Sequence, residues 1–322
     1  MAEQVPDPAV DQRAERADRH ETWSPKLVAL DIDGTLLIPD FEKGFSAEQV
    51  TRPVTDAVLD AARSGAHVVL ASGRAPLSMV GVADRLGLTR LVEELAGERL
   101  HIVASNGSVV VRHPPMEVVH EITFDASEAV RTVLEHVPGA AVAVEEHGVG
   151  YRVNRLFPPG ELDGEMIICD LDQMISTEVS RVIIRDPEST SEDFVNLARK
   201  LGLHGTNYFI GWTAWLDIAP EGVSKASGLD WVCRDLGVDA EDVLAIGDGR
   251  NDIEMLQWSG RGVAMGQGPE SVRSAADHVT APVDEDGAAV ELRRWFRDGR
   301  RTPSSTQGSA DGRPPSSTQR PW

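Results

Sequence analysis

The string Asp31-Ile-Asp-Gly-Thr35 carries two carboxylates two residues apart, directly after the apolar run Lys26-Leu-Val-Ala-Leu30. In an extended segment residues i and i+2 face the same way. A tight turn at Gly34 then leaves both acids around one cavity. Alone they repel, so a cation between them or a shared proton is expected. A second string, Gly247-Asp-Gly-Arg-Asn-Asp252, also follows an apolar run, Asp242-Val-Leu-Ala-Ile246. Asp248 and Asp252 offer hard oxygen ligands of the type magnesium takes, and Asn251 offers an amide donor for a phosphate oxygen. Ser72-Gly73-Arg74 stands after the run His67-Val-Val-Leu70. A hydroxyl and free backbone N–H groups at such a turn can cradle phosphate, or serve only to cap a helix. Lys225 opens a helical pattern, where the helix dipole gives a cation no support. A phosphate partner accounts for it, as does plain solvation.

Each string sits at the end of a short apolar run, and helical patterns lie between. Residues 51–64 read as a helix with Gly65 placed to close it. This alternation predicts a parallel sheet covered on both faces. Ligands of such sheets bind beyond the carboxyl ends of the strands, so Asp31, Ser72 and Asp248 are expected to converge there. The middle of the chain differs. Val118-Val-His-Glu-Ile122, Ala140-Ala-Val-Ala-Val144 and Ser180-Arg-Val-Ile-Ile184 read as strands, with helical patterns near 126–136 and 190–201. The fold class is α/β: a Rossmann-like, doubly wound parallel-sheet core with an inserted α+β domain. The core is expected over 23–112 and 208–298, resuming at Trp215-Leu-Asp-Ile218, and the insert over 113–207. Polar segments, 1–22 and the Pro/Ser/Gln-rich 299–322, are expected to be a disordered arm and tail.

Composition narrows the partners. Lys and Arg total 31 and Asp and Glu total 52 in 322 residues, a formal charge of −21. A field of that sign repels nucleic acid and anionic lipid, and neither is an expected partner. It repels a phosphorylated ligand too, so a phosphate site here needs local cations and backbone N–H groups. No apolar run approaches the roughly 20 residues of a membrane span, and Met1–Glu21 lacks the apolar stretch of a signal peptide. Cys169 and Cys233 read as reduced structural thiols of a cytoplasmic protein.

In order along the chain, Asp31-x-Asp33-Gly-Thr, Ser72, Lys225 and Gly247-Asp248-x-x-Asn251-Asp252 resemble the four motifs of the haloacid dehalogenase superfamily of phosphohydrolases. The insert between the second and third motifs is similar to the class IIB α+β cap of its Cof-type subgroup. Ser105-Asn-Gly107, after Leu100-His-Ile-Val-Ala104, looks like that subgroup's Asn-Gly element. The stretch from Leu37 to the first helix is longer than the resemblance leads one to expect.

The resemblance implies a phosphatase of a small phosphorylated metabolite, with Asp31 as nucleophile and Asp33 as general acid and base. It implies Mg²⁺ held by Asp31, Asp248 and the backbone carbonyl of Asp33, with Asp252 joining or steering them. Phosphate would meet Ser72, Gly73, Lys225 and Asn251, and substrate could also meet Arg74 and Asn106. Within the insert, His147, Arg152 and Arg155 are candidate substrate contacts or ordinary surface residues. A monomer or weak homodimer is expected. A phosphomutase or phosphotransferase using the same aspartyl-phosphate, and a non-catalytic phosphate-binding regulator, are the alternatives. Release of free phosphate separates them.

Overall fold

The computed structural model describes residues 23–38, 49–95, 99–186, 188–190, 192–194, 196–197, 206–210, 215–297 and 300–301. The expected arm, and all of the expected tail but 300–301, lie outside the described residues. So does part of the helix expected at 190–201, which is helical at 192–194 and 196–197.

Strand β1 (Leu27–Leu30) is buried at every position. It sends Val28 and Leu30 into one apolar cluster and Leu27 and Ala29 into another, the alternation of a strand covered on both faces. Helix α1 (Arg52–Arg63) starts where Thr51 accepts a hydrogen bond from the Val54 N–H and Pro53 occupies the first turn, a position that needs no donor. It buries Val54, Ala57, Val58 and Ala61, one stripe at helical spacing. Covering each valine contributes about 1.5–3 kcal/mol. The helix stops at Ser64, and Gly65 turns the chain at φ +81°. β2 (His67–Ala71), α2 (Pro76–Arg85), α3 (Leu88–Glu94), β3 (Leu100–Ala104), β4 (Val109–His113) and β5 (Glu117–Glu121) follow.

After the insert come α5 (Lys225–Leu236), β12 (Val243–Gly247), α6 (Ile253–Trp258), β13 (Arg261–Ala264), β14 (His278–Val279) and α7 (Gly287–Trp295). The core sheet has eight strands in the order β14-β13-β12-β1-β2-β3-β4-β5. β14 through β3 run parallel, and β4 and β5 close that edge antiparallel. One face packs on α1, α2, α3 and α7, the other on α5 and α6. This is the expected doubly wound α/β core.

The insert holds α4 (Ser127–His136), β6 (Ala141–Glu146), β7 (Gly150–Val153), β8 (Glu165–Ile168), β9 (Val182–Arg185), β10 (Thr206–Ile210) and β11 (Trp215–Pro220). Its six-stranded sheet has the order β10-β11-β9-β6-β7-β8. α4 covers one face through Val130 and Val133, which meet Val142, Val144, Ile184 and Leu216. The opposite face, with Ala141, Ala143, Tyr151 and Ile183, reaches Ala75 of the core. Two strands pair elsewhere than expected. β5, placed by sequence in the insert, extends the core sheet by pairing with β4. β11, expected to reopen the core, pairs with β9 and β10 of the insert. The core therefore resumes after Pro220 rather than near 208. The pattern of either segment says strand; which sheet it joins depends on partners distant in sequence.

No helix among the described residues is long and apolar enough to cross a membrane. Both cysteines are free, and burial pushes the Cys233 thiol up to about 12, the behaviour of an inert core thiol.

Candidate active site

β12, β1, β2 and β3 are neighbours in the core sheet, and each ends in one of the segments singled out above. Asp31 leaves β1 with its N–H donated to the Ile246 carbonyl at 3.0 Å. The chain then folds back on itself, the Gly34 N–H reaching the Leu37 carbonyl at 3.0 Å. Gly34 sits at φ +78°, and a Cβ there would lie 2.2 Å from Asp248 Oδ2. Only glycine lets the turn after β1 approach the loop after β12 this closely.

Lys225 is the first residue of α5, behind a capping box made by Ser224 and Ser227. Its ammonium is buried and donates to Asp31 Oδ1 at 2.6 Å and to Asp252 Oδ1 at 2.5 Å. This excludes the solvated alternative for that lysine. The other oxygen of Asp252 accepts from the N–H groups of Asp248 and Gly249, at 2.9 and 2.8 Å. Carboxylate oxygens of Asp31, Asp248 and Asp252 lie within 4.8 Å of one another, all three residues buried.

The electrostatics follow from that crowding. Burial, then the neighbouring Asp252, push the Asp31 carboxyl well above its ordinary range against the pull of Lys225. The same two causes raise Asp248 to about 7. Burial alone would lower the Lys225 ammonium, but Asp252 and Asp31 outweigh it and hold it above its usual value. Such a site is short of positive charge. Three converging hard oxygen donors fit a divalent metal ion, which would supply it.

Around this cluster lie the remaining expected residues. Arg74 turns back onto Asp33, its Nε donating to Oδ2 at 2.9 Å and its Nη2 to Oδ1. This fork engages both oxygens of the expected acid. Ser72 Oγ accepts from the Arg74 N–H at 3.2 Å. It does not cap α2, whose N-cap is Ala75. Asn251 Nδ2 donates to Asn106 Oδ1 at 3.0 Å. The Asn106 N–H reaches the Ser72 carbonyl at 3.0 Å, and the Ser105 N–H reaches the Arg74 carbonyl at 2.9 Å. Gly73 lies against the Asn106 side chain, and a Cβ on it would stand 3.0 Å from Asn106 Nδ2. The loops after β2, β3 and β12 thus interlock beside Asp31.

Gln267, not anticipated, joins them. Its amide donates to the Gly34 carbonyl at 2.6 Å and to Asp248 Oδ2 at 3.3 Å, and accepts from the Val283 N–H at 3.0 Å. It follows β13, one strand out from β12, so the rule that picked the other strand ends also reaches it. Of the candidates in the insert, Arg152 pairs with Glu146 at 3.0 Å and Arg155 donates to the Gly139 carbonyl at 2.6 Å. Both are engaged within the insert itself. His147 lies between Glu145 and Glu121.

Comparison with known proteins bears on this arrangement. Residues 28–292 match the family model described as haloacid dehalogenase-like hydrolase. The phosphoglycolate phosphatase of Natronomonas pharaonis is 30% identical over 268 residues, 83% of this chain and 96% of that one. A 5-amino-6-(5-phospho-D-ribitylamino)uracil phosphatase of Bacillus subtilis is 27% identical over 277 residues, 84% of this chain and 95% of that one. A solved haloacid dehalogenase-like hydrolase from Bacteroides thetaiotaomicron superposes with a TM-score of 0.68 at 25% identity, covering 84% of this chain and all of that one. Since the family match spans both halves of the core and the insert between them, the chain belongs to the haloacid dehalogenase-like hydrolases and is a phosphatase of their Cof type.

Proposed function

We propose that the protein hydrolyses a small phosphorylated metabolite, such as a sugar phosphate, in two steps through an aspartyl-phosphate on Asp31. The observation that carries this reading is the buried Asp31 carboxylate, held by Lys225 at the end of the central strand among Asp248 and Asp252. In the first step an Asp31 oxygen attacks phosphorus in line, the bond from phosphorus to the leaving oxygen breaks, and that oxygen takes a proton from Asp33. In the second, Asp33 takes a proton from water, the water oxygen attacks the phosphorus, and Asp31 leaves as a carboxylate with inorganic phosphate. Arg74 fixes the direction of Asp33 before substrate arrives.

Lys225, Ser72, the Gly73 backbone and Asn251 would spread the charge on the phosphoryl oxygens, and phosphoryl transfer depends largely on such positioning. Asp31, Asp248 and the Asp33 carbonyl are the groups that would hold Mg²⁺. Asp252, with both oxygens already hydrogen-bonded, orients the Asp248 loop. When bound, the ion neutralises the carboxylate cluster and acts as a Lewis acid toward the phosphoryl oxygens.

The test is release of inorganic phosphate from a panel of phosphorylated metabolites by the purified chain with Mg²⁺, beside Asp31→Asn. The amide is a poor nucleophile, so turnover should disappear while the circular dichroism spectrum stays unchanged. A variant retaining activity within about tenfold of wild type, far less than loss of a nucleophile costs, would remove Asp31 from that role.

A further inference from the structure

The turn after β3 carries an unusual backbone. Ser105 and Asn106, neither a glycine, sit at φ +50° and +54°, and Gly107 follows at φ +103°. Two successive side-chain-bearing residues in the left-handed region persist only where the surroundings over-determine them. From the core, the Arg74 and Ser72 carbonyls accept the Ser105 and Asn106 N–H groups, and Asn251 holds the Asn106 amide. Gly107 lies so close to α5 that a Cβ would stand 2.0 Å from the Ser224 carbonyl oxygen. The insert reaches the same turn through Glu145 on β6, whose Oε2 accepts from Ser105 Oγ at 2.6 Å, with both residues buried.

Glu145 is itself aimed from several sides. Its other oxygen lies 3.1 Å from His147 Nδ1, and His147 Nε2 lies 2.8 Å from Glu121 of β5, a core strand. Arg181 Nη1, which makes no hydrogen bond among the described residues, stands 3.9 Å from Glu145 Oε2, while the rest of that guanidinium is held by Asp217 at 2.7 and 2.8 Å. A carboxylate this buried is out of place for packing alone, where an apolar side chain would serve better. Its position suits a rigid acceptor for one hydroxyl.

We propose that Glu145 is a positioning residue: by holding Ser105 from the insert it locks the Ser105–Asn106–Gly107 turn onto the loops carrying Ser72, Arg74 and Asn251, so that seating of the insert and ordering of the phosphate side of the site are one event. The route is short. The Ser105 N–H ends on the Arg74 carbonyl, and the Arg74 side chain holds Asp33. Asn106 ends on Asn251. Glu145 touches none of the reacting atoms in this scheme, so its loss slows catalysis by loosening groups that do.

The effect on turnover rests on the function proposed above; the effect on the turn does not. The experiment therefore reads both, using the full chain with Glu145→Ala, Glu145→Gln and Ser105→Ala. Hydrogen exchange over 103–108 reports the turn without any catalysis. Steady-state hydrolysis of p-nitrophenyl phosphate, whose leaving group makes little demand on the insert, reports kcat and KM. Glu145→Ala and Ser105→Ala should speed exchange at 105–108 by about tenfold or more, with β1 and β12 as protected as in wild type. Both should lower kcat by about 10- to 100-fold with little change in KM, the signature of misplaced catalytic groups. Glu145→Gln, which keeps an acceptor at the same reach, should recover most of both effects. Wild-type exchange at 105–108 in Ser105→Ala would overturn the proposal, as would equal behaviour of Glu145→Gln and Glu145→Ala. So would exchange rising equally in β1 and β12, which would make the contact structural only. A wild-type protein that releases no phosphate would defeat the proposed function and leave the exchange result to decide on Glu145.

Discussion

Around Lys225 three buried aspartates face one ammonium; around Arg181 and His147 three carboxylates face two cationic groups. In the first group, Asp31 and Asp248 are pushed upward by burial and by Asp252, so the folded protein resists their ionisation. In the second, burial would discharge Arg181, yet Asp217 more than compensates and the guanidinium stays charged. His147 is raised to about 9 by its bond to Glu145, in spite of burial, with Glu121 adding to it. The sequence supplies acids in both places. What differs is how many cations the fold brings to them, one in the first group and two in the second. A buried surplus of one sign is expensive unless something of the opposite sign arrives, so the core group is built for a ligand and the insert group is built to hold parts of the chain together.

The largest expected effect tests the surplus directly. Chelation of divalent ions should abolish phosphate release, and Asp248→Ala should lower kcat/KM at limiting Mg²⁺ by about 10²-fold or more, with part of the loss recovered as the ion is raised. Full activity in excess EDTA would refute the metal and with it the reading of the core group as a ligand site.

A matched pair of isosteric changes should then move stability in opposite directions. Asp217→Asn breaks a forked ion pair to a buried arginine. Such losses run at about 3–5 kcal/mol, so its melting temperature should drop by roughly 6 °C or more. Asp248→Asn, compared in EDTA, removes one member of a crowded set and should leave the melting temperature unchanged or higher. The sign follows from linkage. A carboxyl raised on folding to about 7 binds its proton more tightly in the folded state, so the metal-free protein loses stability as pH climbs from the ordinary carboxylate range toward 7. Equal destabilisation by the two asparagines would erase the distinction between the groups.

The smallest effect concerns the edge of the insert group. His147 gains its proton's stabilisation from Glu145 and Glu121, with burial opposing it. Because the folded value is raised, that contribution is complete below the ordinary imidazole value near 6.5 and disappears as pH rises through about 9. The melting temperature of His147→Gln should therefore lie about 2–4 °C below wild type at pH 6, roughly 1 kcal/mol, and meet it near pH 9.5. A gap that stays constant with pH would mean that His147 acts by packing alone.

The two groups also differ in how far they could be read beforehand. Asp31, Asp248, Asp252 and Lys225 stand in short strings at the ends of apolar runs, and a parallel sheet forces the ends of neighbouring strands together. Arg74 was visible as a residue of interest, but its fork onto Asp33, 41 positions away, was not. Nothing local in Glu145, Arg181 or Asp217 marks them. Arg181 belongs to a strand pattern that reads as ordinary, Glu145 directly follows another, and Asp217 lies in the segment expected to reopen the core. β5 was legible as a strand and the β11 segment as the point where the core resumes, yet each joined the other sheet, because a local pattern encodes a face to be buried and not the neighbour that buries it.

The amino-acid sequence by itself determined the α/β class, the strand ends where chemistry could gather, and an excess of acid that any phosphate site here must overcome. Those properties are local: period, turn residues and charge are written within a few positions of one another. Only the tertiary structure decided which buried acids received a cation and which did not, which sheet β5 and β11 joined, and that an insert glutamate would hold the turn beside Asn106. Pairings across 40 positions or more, such as Ser105 with Glu145 or Lys225 with Asp31, depend on how whole elements pack, and packing is settled by the fit of every surface at once.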